Sequence, residues 1–462
     1  MSNFEIFKSQ RNKDVLFWKG FVYNEDGMLL DGAQRFRCRD RKCKGKVSFF
    51  KANRTLIEVS SHNHSNDSTK SQVEISRKKI KTRAIETSER PKDIVAKEII
   101  TLNNRERCEA PKLKSMLDSV TRLRSKEFSH GILSQAGEDI PDSLKFTSKG
   151  HEFLMYDSGF DSYERFLIYC SQEQLIYLRK SKTWLIDGTF RCAPRDFNQM
   201  ISIRGMISGK AYALAFIIIN SKRERLYQKA FEILREKLNC SPQNIITDFE
   251  KGLIGATKMV FPEAHNYGCQ FHHSQATWRK VQELGLASDF HNNEQIRIVY
   301  KKLMSLSFFP ETEVLAVFNH LKTSFLLEAT NEGVKTFINY FEKNYIMGTE
   351  SSHYNINFWS CYHRVVNNIP RTINSSEAWH RSVNFQTVVK HPNLAKLVEV
   401  LQTEEDLTSF SLTRVCSGVE VPTPNIDYKK EWKLREVLRD HQIYDLESYF
   451  DTLFLIHTWK VE

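Results

Sequence analysis

Three strand-like runs follow one another with little but turns between them: Thr183–Phe190, Gln199–Ile207 and Ala211–Ile219. The runs are largely apolar, and Gly205 and Ser208-Gly209 are read as turns. The pattern then changes period. A helix over Arg223–Leu238 is followed by a strand (Asn244–Asp248), a helix (Gly252–Val260), a strand (His265–Cys269) and a helix (His272–Gln282). A further helix is read over Tyr163–Lys180 from the spacing of Phe166, Leu167, Tyr169, Leu175 and Leu178. This order restricts the segment to the α/β class, a mixed sheet with helices on its faces.

Two of the strands deliver an acid. Asp187 lies in Lys182-Thr-Trp-Leu-Ile-Asp-Gly-Thr-Phe-Arg191 and Asp248 in Asn244-Ile-Ile-Thr-Asp-Phe-Glu250. A third acid, Glu377, opens a helix in Asn374-Ser-Ser-Glu-Ala-Trp-His380. Three strands, then helix, strand, helix, strand, helix is the order of an RNase H-like fold. In that fold acids on adjacent central strands meet, although these two are 61 positions apart (248 − 187). Three carboxylates suit Mg²⁺ or Mn²⁺, hard cations that take oxygen ligands, and a pair of such ions serves phosphodiester chemistry. Each acid also has a plainer reading. Asp187-Gly188 fits a hairpin turn, Asp248 fits a helix N-cap, and Asn374-Ser-Ser-Glu377 fits a variant capping box.

The chain has 462 residues, too many for one core, and a net charge of +11. Residues 1–150 hold 31 Lys+Arg and 20 Asp+Glu; the remainder holds 36 of each (67 − 31 and 56 − 20). The whole excess therefore lies in the first third, which points to a polyanion-binding region ahead of a neutral body, or to a solvated basic segment. Nine cysteines suggest no disulfide framework and favour a reducing compartment. Met1-Ser-Asn-Phe-Glu-Ile lacks a signal-peptide pattern, and the apolar run Ala211–Ile219 is half a membrane span. A soluble protein without a membrane partner is expected.

Residues 14–64 read as a β-rich unit with a turn at Asn24-Glu-Asp-Gly27. Cys38-x4-Cys43 is followed after eighteen residues by His62-x-His64, two thiols and two imidazoles close together, as tetrahedral zinc requires. Zinc would support a domain too small for a large core of its own. Buried cysteines beside a polar histidine loop are the alternative. Phe21–His64 resembles the FLYWCH-type zinc finger, with Phe36 where that family usually has tryptophan. The resemblance implies a DNA- or protein-binding module. Among the basic residues around the ligands, Arg37, Arg39, Arg41 and Lys44 are the candidates for phosphate contact.

The domain reading is a finger over 1–65, a basic linker over 66–155 with room for a short helical DNA-binding unit, and an α/β core over 156–285. A helical insertion over 286–365, closing helices over 366–405 and a tail over 406–462 complete it. In the linker, Arg77-Lys-Lys-Ile-Lys-Thr-Arg83 suits nuclear import or DNA contact. In the insertion, Tyr345, Tyr354, Phe358, Trp359 and Tyr362 suit base stacking or core packing.

The core resembles the transposases of Mutator-like elements. The carrying motifs are Asp187-Gly-Thr-Phe190, Thr247-Asp-Phe-Glu250, Gly268-Cys-Gln-Phe-His-His-Ser-Gln275 and Asn374-x2-Glu377-x-Trp379-His380-x3-Asn384. The resemblance spans Tyr163–Asn384. It implies a DDE-type enzyme with the triad Asp187, Asp248 and Glu377, cutting double-stranded DNA at element ends and joining it to target DNA. Cys269-x2-His272 is similar to a motif of Mutator-like and hAT-like transposases. Cys269, His272, Trp379 and His380 are accordingly placed near the active site, with a metal site around Cys269, His265, His272 and His273 as a weaker alternative. A nuclear homo-oligomer is expected. The competing reading is a domesticated copy acting as a DNA-binding transcription regulator without catalysis.

Overall fold

A computed structural model describes residues 4–9, 12–87, 89–129, 139–159, 164–328, 331–347, 354–419 and 425–456. The chain forms two compact units, Met1–Gly131 and Ile132–Glu462.

The first unit begins with an antiparallel meander in chain order: β1 (Phe4–Lys8), β2 (Asp14–Trp18), β3 (Phe21–Met28), β4 (Gln34–Cys38), β5 (Lys46–Phe50) and β6 (Thr55–Ser60). Leu16, Trp18, Tyr23, Phe36, Val47 and Phe49 form its core with Cys38 and Cys43. Asn24–Gly27 is not a turn. It lies inside β3, where a bulge between Glu25 and Gly27 uses the positive φ of Gly27 (124°), and the chain reverses instead at Leu29–Gly32.

The stretch expected as a linker is mostly helical: α1 (Ser68–Glu86), α2 (Pro91–Ile99), α3 (Asn104–Glu109) and α4 (Leu113–Ser129). Asp67 caps α1 by accepting from the Lys70 N–H at 2.9 Å. Ile75 of α1 packs on Val15 and Phe17 of β2, and Ile80, Ala84, Ile94, Val95, Met116 and Val120 knit the helices together. Buried Arg124 of α4 donates to the Ala84 and Thr87 carbonyls at 2.9 and 2.8 Å, fixing α4 against the C-terminal end of α1.

The second unit is built on a seven-stranded mixed sheet. Its strands are β7 (Leu154–Asp157), β8 (Phe166–Tyr169), β9 (Thr183–Thr189), β10 (Gln199–Ile207), β11 (Lys210–Ile219), β12 (Asn244–Thr247) and β13 (His265–Gly268), in spatial order β13-β12-β9-β10-β11-β8-β7. β12 runs parallel to both β9 and β13, and the other pairings are antiparallel. The helix read over Tyr163–Lys180 is two elements, β8 and then α5 (Gln172–Lys180), started by a Ser171–Gln174 capping box; Tyr163 lies outside the described residues. A short apolar run buried on both faces has no period to distinguish strand from helix. Gly205 is also no turn. It sits inside β10 opposite Trp184 and Tyr212, where a Cβ would lie 2.7 Å from the Leu214 side chain. Ser208 and Gly209, both at positive φ, do make the hairpin.

α5, α6 (Glu224–Leu238) and α7 (Lys251–Val260) pack one face of the sheet. α8 (Gln270–Glu283) then leads into α9 (Ala287–Asn292), α10 (Glu294–Ser305), α11 (Val314–Glu328), α12 (Glu332–Phe341), a π-turn at Glu342–Ile346, α13 (Ile356–Trp359) and α14 (Tyr362–Val366). α15 (Asn374–Gln386) and α16 (Leu394–Cys416) cover the other face of the sheet. The segment expected as a tail folds into the end of α16, then α17 (Asn425–Arg439) and α18 (Leu446–Ile456). Leu434, Leu438, Tyr449, Phe450 and Leu453 of the last two helices join the core of α8–α14. Tyr345, Phe358 and Trp359 are buried, and Tyr354 and Tyr362 are half-buried and bonded to Phe249 and His441, so these rings pack the interior. Among the described residues no helix is long and apolar enough to cross a membrane.

His273 of α8 is fully buried among these rings, stacked on Phe249 and edge-on to Tyr345, and neither ring nitrogen has a hydrogen-bond partner among the described residues. Burial pushes it down from 6.5 to about 3. The fold holds it neutral, whereas the unfolded chain protonates it below 6.5. Stability should therefore fall as pH drops through that window, by about 1.4 kcal/mol per pH unit from this group. His273→Phe should flatten this slope in urea titrations taken at a series of pH values.

Candidate functional site

The parallel pairing of β12 with β9 runs Asn244 with Thr183, Ile245 with Trp184 and Ile246 with Leu185. Asp248 and Asp187 each lie two residues beyond the last pair (246 + 2 and 185 + 2), so the register brings the two acids side by side at the same end of the sheet. Asp187 is inside β9 and buried, and Gly188 pairs with Ile201, which removes the hairpin-turn reading. Gly188 has a steric role: a Cβ there would overlap the side-chain amide of Gln199. Gln199 in turn meets the Tyr227 hydroxyl (2.7 Å), which donates to Glu250 at 2.5 Å. Lys222 completes this edge, 3.4 Å from Glu250 and over the Phe190 ring at 3.8 Å.

Asp248 follows β12 directly and accepts from the Glu250 N–H at 3.0 Å. It does not cap α7, whose N-cap is Glu250. Burial raises the Asp248 carboxyl from 3.8 to about 6, and the charges of Asp187 and Glu250 push the same way.

Glu377 stands in the first turn of α15. The helix has Ile373 as its N-cap residue with no side-chain capping bond, so the capping-box reading fails. The Glu377 carboxylate lies 3.6 Å from His272 Nε2. Burial first, then Asp187, raises its pKa, while His272 opposes the shift. Asp187 is thus the central charge, felt by both other acids. Their oxygens do not gather within 4.8 Å of one another, since among the described residues that closeness belongs to the cysteine–histidine cluster alone.

α15 brings a second group. His380 Nδ1 lies 3.2 Å from Asp187 Oδ2, and its Nε2 lies 3.0 Å from Ser202 Oγ on β10. With Nδ1 carrying the proton it donates to Asp187, and Nε2 accepts from Ser202. Trp379 turns away from this edge, stacks on Phe216 at 5.5 Å and donates to Glu404 at 2.5 Å. Sequence reasoning missed Arg204 of β10. Its buried guanidinium donates to the carbonyls of Ser375 and Ala211, tying the start of α15 to the sheet, and burial lowers it from 12.5 to about 10. The sequence carried a faint signal for it, a lone cation in an apolar strand.

Cys269 is buried, its thiol accepts from the Ile373 N–H at 3.3 Å, and burial pushes it up to about 12. No metal-ligating cluster forms around it among the described residues: His272 reaches Glu377 and His273 is enclosed by aromatic rings.

In the first unit Cys38, Cys43, His62 and His64 offer ligand atoms that all lie within 4.8 Å of one another. Cys43 Sγ faces His62 Nδ1 at 3.3 Å, and Cys38 Sγ faces His64 Nε2 at 3.4 Å. The other ring nitrogens are held from behind, His62 Nε2 by the Tyr23 hydroxyl (2.8 Å) and His64 Nδ1 by the Ser65 carbonyl (2.9 Å). Phe21 stacks on His62 at 3.6 Å, and Gly45 is needed because a Cβ would lie 2.7 Å from that ring. Arg37, Arg41 and Lys44 are exposed around the cluster, while Arg39 is drawn into an ion pair with Glu74 at 2.7 Å.

The raised Asp248 pKa has a consequence for stability. Between 3.8 and about 6 the folded chain holds a proton that the unfolded chain releases, so stability falls as pH rises through that window. Above it the ionised carboxylate carries the whole penalty, up to about 3 kcal/mol. Asp248→Asn keeps an acceptor for Glu250 and removes the charge. It should raise the melting temperature at neutral pH by roughly 5 °C. Below pH 3.8 both chains should melt together, which calorimetry at the two pH values would check.

No curated protein matches the chain. Residues 183–276, which carry Asp187, Asp248, Cys269 and His272, match the family of the MULE transposase domain.

Proposed function

We propose that this chain is a metal-dependent DNA transposase of the Mutator-like type, with Asp187, Asp248 and Glu377 as its catalytic carboxylates on an RNase H-like core. The parallel β9–β12 register carries this reading, because it aligns two acids from distant parts of the chain inside the segment similar to the MULE transposase domain. The antiparallel β9, β10 and β11 followed by parallel β12 and β13 support the fold assignment.

The donor set fits Mg²⁺ or Mn²⁺. The three groups are hard oxygen donors, and burial with mutual repulsion raises the pKa of Asp248 and Glu377. When bound, such ions activate the attacking oxygen and stabilise the leaving one. The chain's own residues set the stage for them. His380 holds Asp187 in one orientation, His272 stands against Glu377, and Arg204 fixes the helix that carries both Glu377 and His380. No nucleophilic side chain is required: water opens the element end, and the freed 3′-hydroxyl attacks target DNA.

Zinc fits Cys38, Cys43, His62 and His64. Each imidazole turns one nitrogen to a thiol while a second group orients the other, the arrangement of metal-bound histidine. In this reading the zinc unit positions double-stranded DNA through Arg37, Arg41 and Lys44, and the protein works in the nucleus as a homo-oligomer.

Cleavage of DNA carrying the flanking terminal sequences, with Mg²⁺ or Mn²⁺, tests the enzyme against the non-catalytic regulator. Asp187→Asn, Asp248→Asn and Glu377→Gln should each lower the rate by roughly 10²–10³-fold or more while DNA binding persists. A parental rate for Glu377→Gln beside two inactive aspartate variants would move the third carboxylate elsewhere. Glu350 is then the next candidate, and it lies outside the described residues. Chelation, or Cys43→Ala, should abolish the cooperative melting of the Met1–Gly131 unit, followed by circular dichroism.

A further inference from the structure

Helices α1 and α4 enclose a groove of about 460 Å³ on the first unit, formed by side chains outside the zinc cluster. Its floor is apolar, with buried Ile80 and Met116 beside half-buried Leu123. Its walls carry Arg77 and Lys81 from α1 and Arg122 and Lys126 from α4, all four exposed. No carboxylate lines it, and none of the four cations has an ion-pair partner among the described residues. Neighbouring cations behave differently: Lys79 pairs with Glu5, Arg83 with Glu89, and Lys78 donates to the Lys8 carbonyl.

The spacing is regular. Arg77 and Lys81 are four apart, as are Arg122 and Lys126, so each wall presents two charges on one helical face with a rise of about 6 Å between them. Ser115 and Ser119, also four apart on α4, add hydroxyl donors to the same groove. Arg and Lys side chains with Ser hydroxyls, and no acidic group, are the chemistry of phosphodiester contacts. An acidic apolar peptide would also meet the cations and the floor, but it has less use for hydroxyl donors along the wall.

We propose that the α1–α4 groove is a second DNA-contacting site, which grips the phosphate backbone of duplex DNA independently of the residues around the zinc cluster. The assignment rests on the reading of this chain as a DNA-acting protein. It adds a sequence-independent electrostatic contact, whose strength falls steeply as salt rises, because its driving force is the release of counterions from the duplex.

The test uses the full chain, a fluorescent DNA duplex and a salt series. Arg77→Gln/Lys81→Gln/Arg122→Gln/Lys126→Gln is compared with the parent and with Arg37→Gln/Arg41→Gln/Lys44→Gln. The groove variant should bind at least ~10-fold more weakly at low salt, and the slope of log affinity against log salt should become shallower by up to about 4, near 0.9 for each phosphate no longer neutralised. Thermal melting and zinc content should match the parent, since the four side chains are exposed and unpaired. A groove variant with parental affinity and slope overturns the groove while leaving the functional reading intact. Parental DNA binding together with weakened affinity for an acidic amphipathic peptide overturns it in favour of a protein partner. A parent chain that binds no duplex overturns both the groove and the functional reading.

Discussion

Two carboxylates that repel each other are held together by the pairing of two parallel strands. Parallel neighbours need a crossover between them, and α6 supplies it, burying Leu226, Phe231 and Leu234 against the sheet. Trp184, Ile186 and Ile245 anchor β9 and β12 on the α6 face, and their burial works against the repulsion between Asp187 and Asp248. The acids are therefore placed by apolar contacts remote from their charges. Around them, each polar group answers the one before: His380 steadies Asp187, Ser202 steadies His380, and Arg204 secures the helix from which His380 comes.

Much of this was legible in the sequence because the central elements are locally consistent. β10 has the predicted bounds, Gln199–Ile207, and β9, β11, β12, β13 and the helices between them begin and end within two residues of expectation. Each is either an apolar run of strand length or an amphipathic stretch of helical length, with a turn at its boundary. The errors fall where local pattern is silent. Phe166–Tyr169 is uniformly apolar and reads equally as helix. Gly205 looks like a turn, but serves close packing with Leu214 and Ser181. The tail shows no site in its local pattern because its partners are distant in the chain: α17 packs on α14, and Tyr449 and Phe450 pack on Phe309, more than a hundred positions earlier.

The site divided in the same way. Acids in short motifs stand out in a sequence, and so do paired cysteines and histidines. Their supports do not: Ser202, Arg204, Gln199 and Tyr227 are ordinary residues of strands and a helix until the fold sets them beside Asp187 and Glu250. Cys269 was visible as a motif, but its hydrogen bond to Ile373 requires a contact across 104 positions.

That contact is one half of a seam. The Gln270 N–H donates to the Arg371 carbonyl at 2.9 Å, and the Ile373 N–H donates to the Cys269 thiol, so the chain leaves the sheet at one point and returns to it beside the same residues. The intervening path can therefore change in length at small entropic expense, about 0.6 kcal/mol for each doubling, without disturbing where α15 begins. α17 and α18 share the core of the helices within that path. The exchangeable part is then a cassette of two separated segments, and a change in the apolar face of one has to be matched in the other.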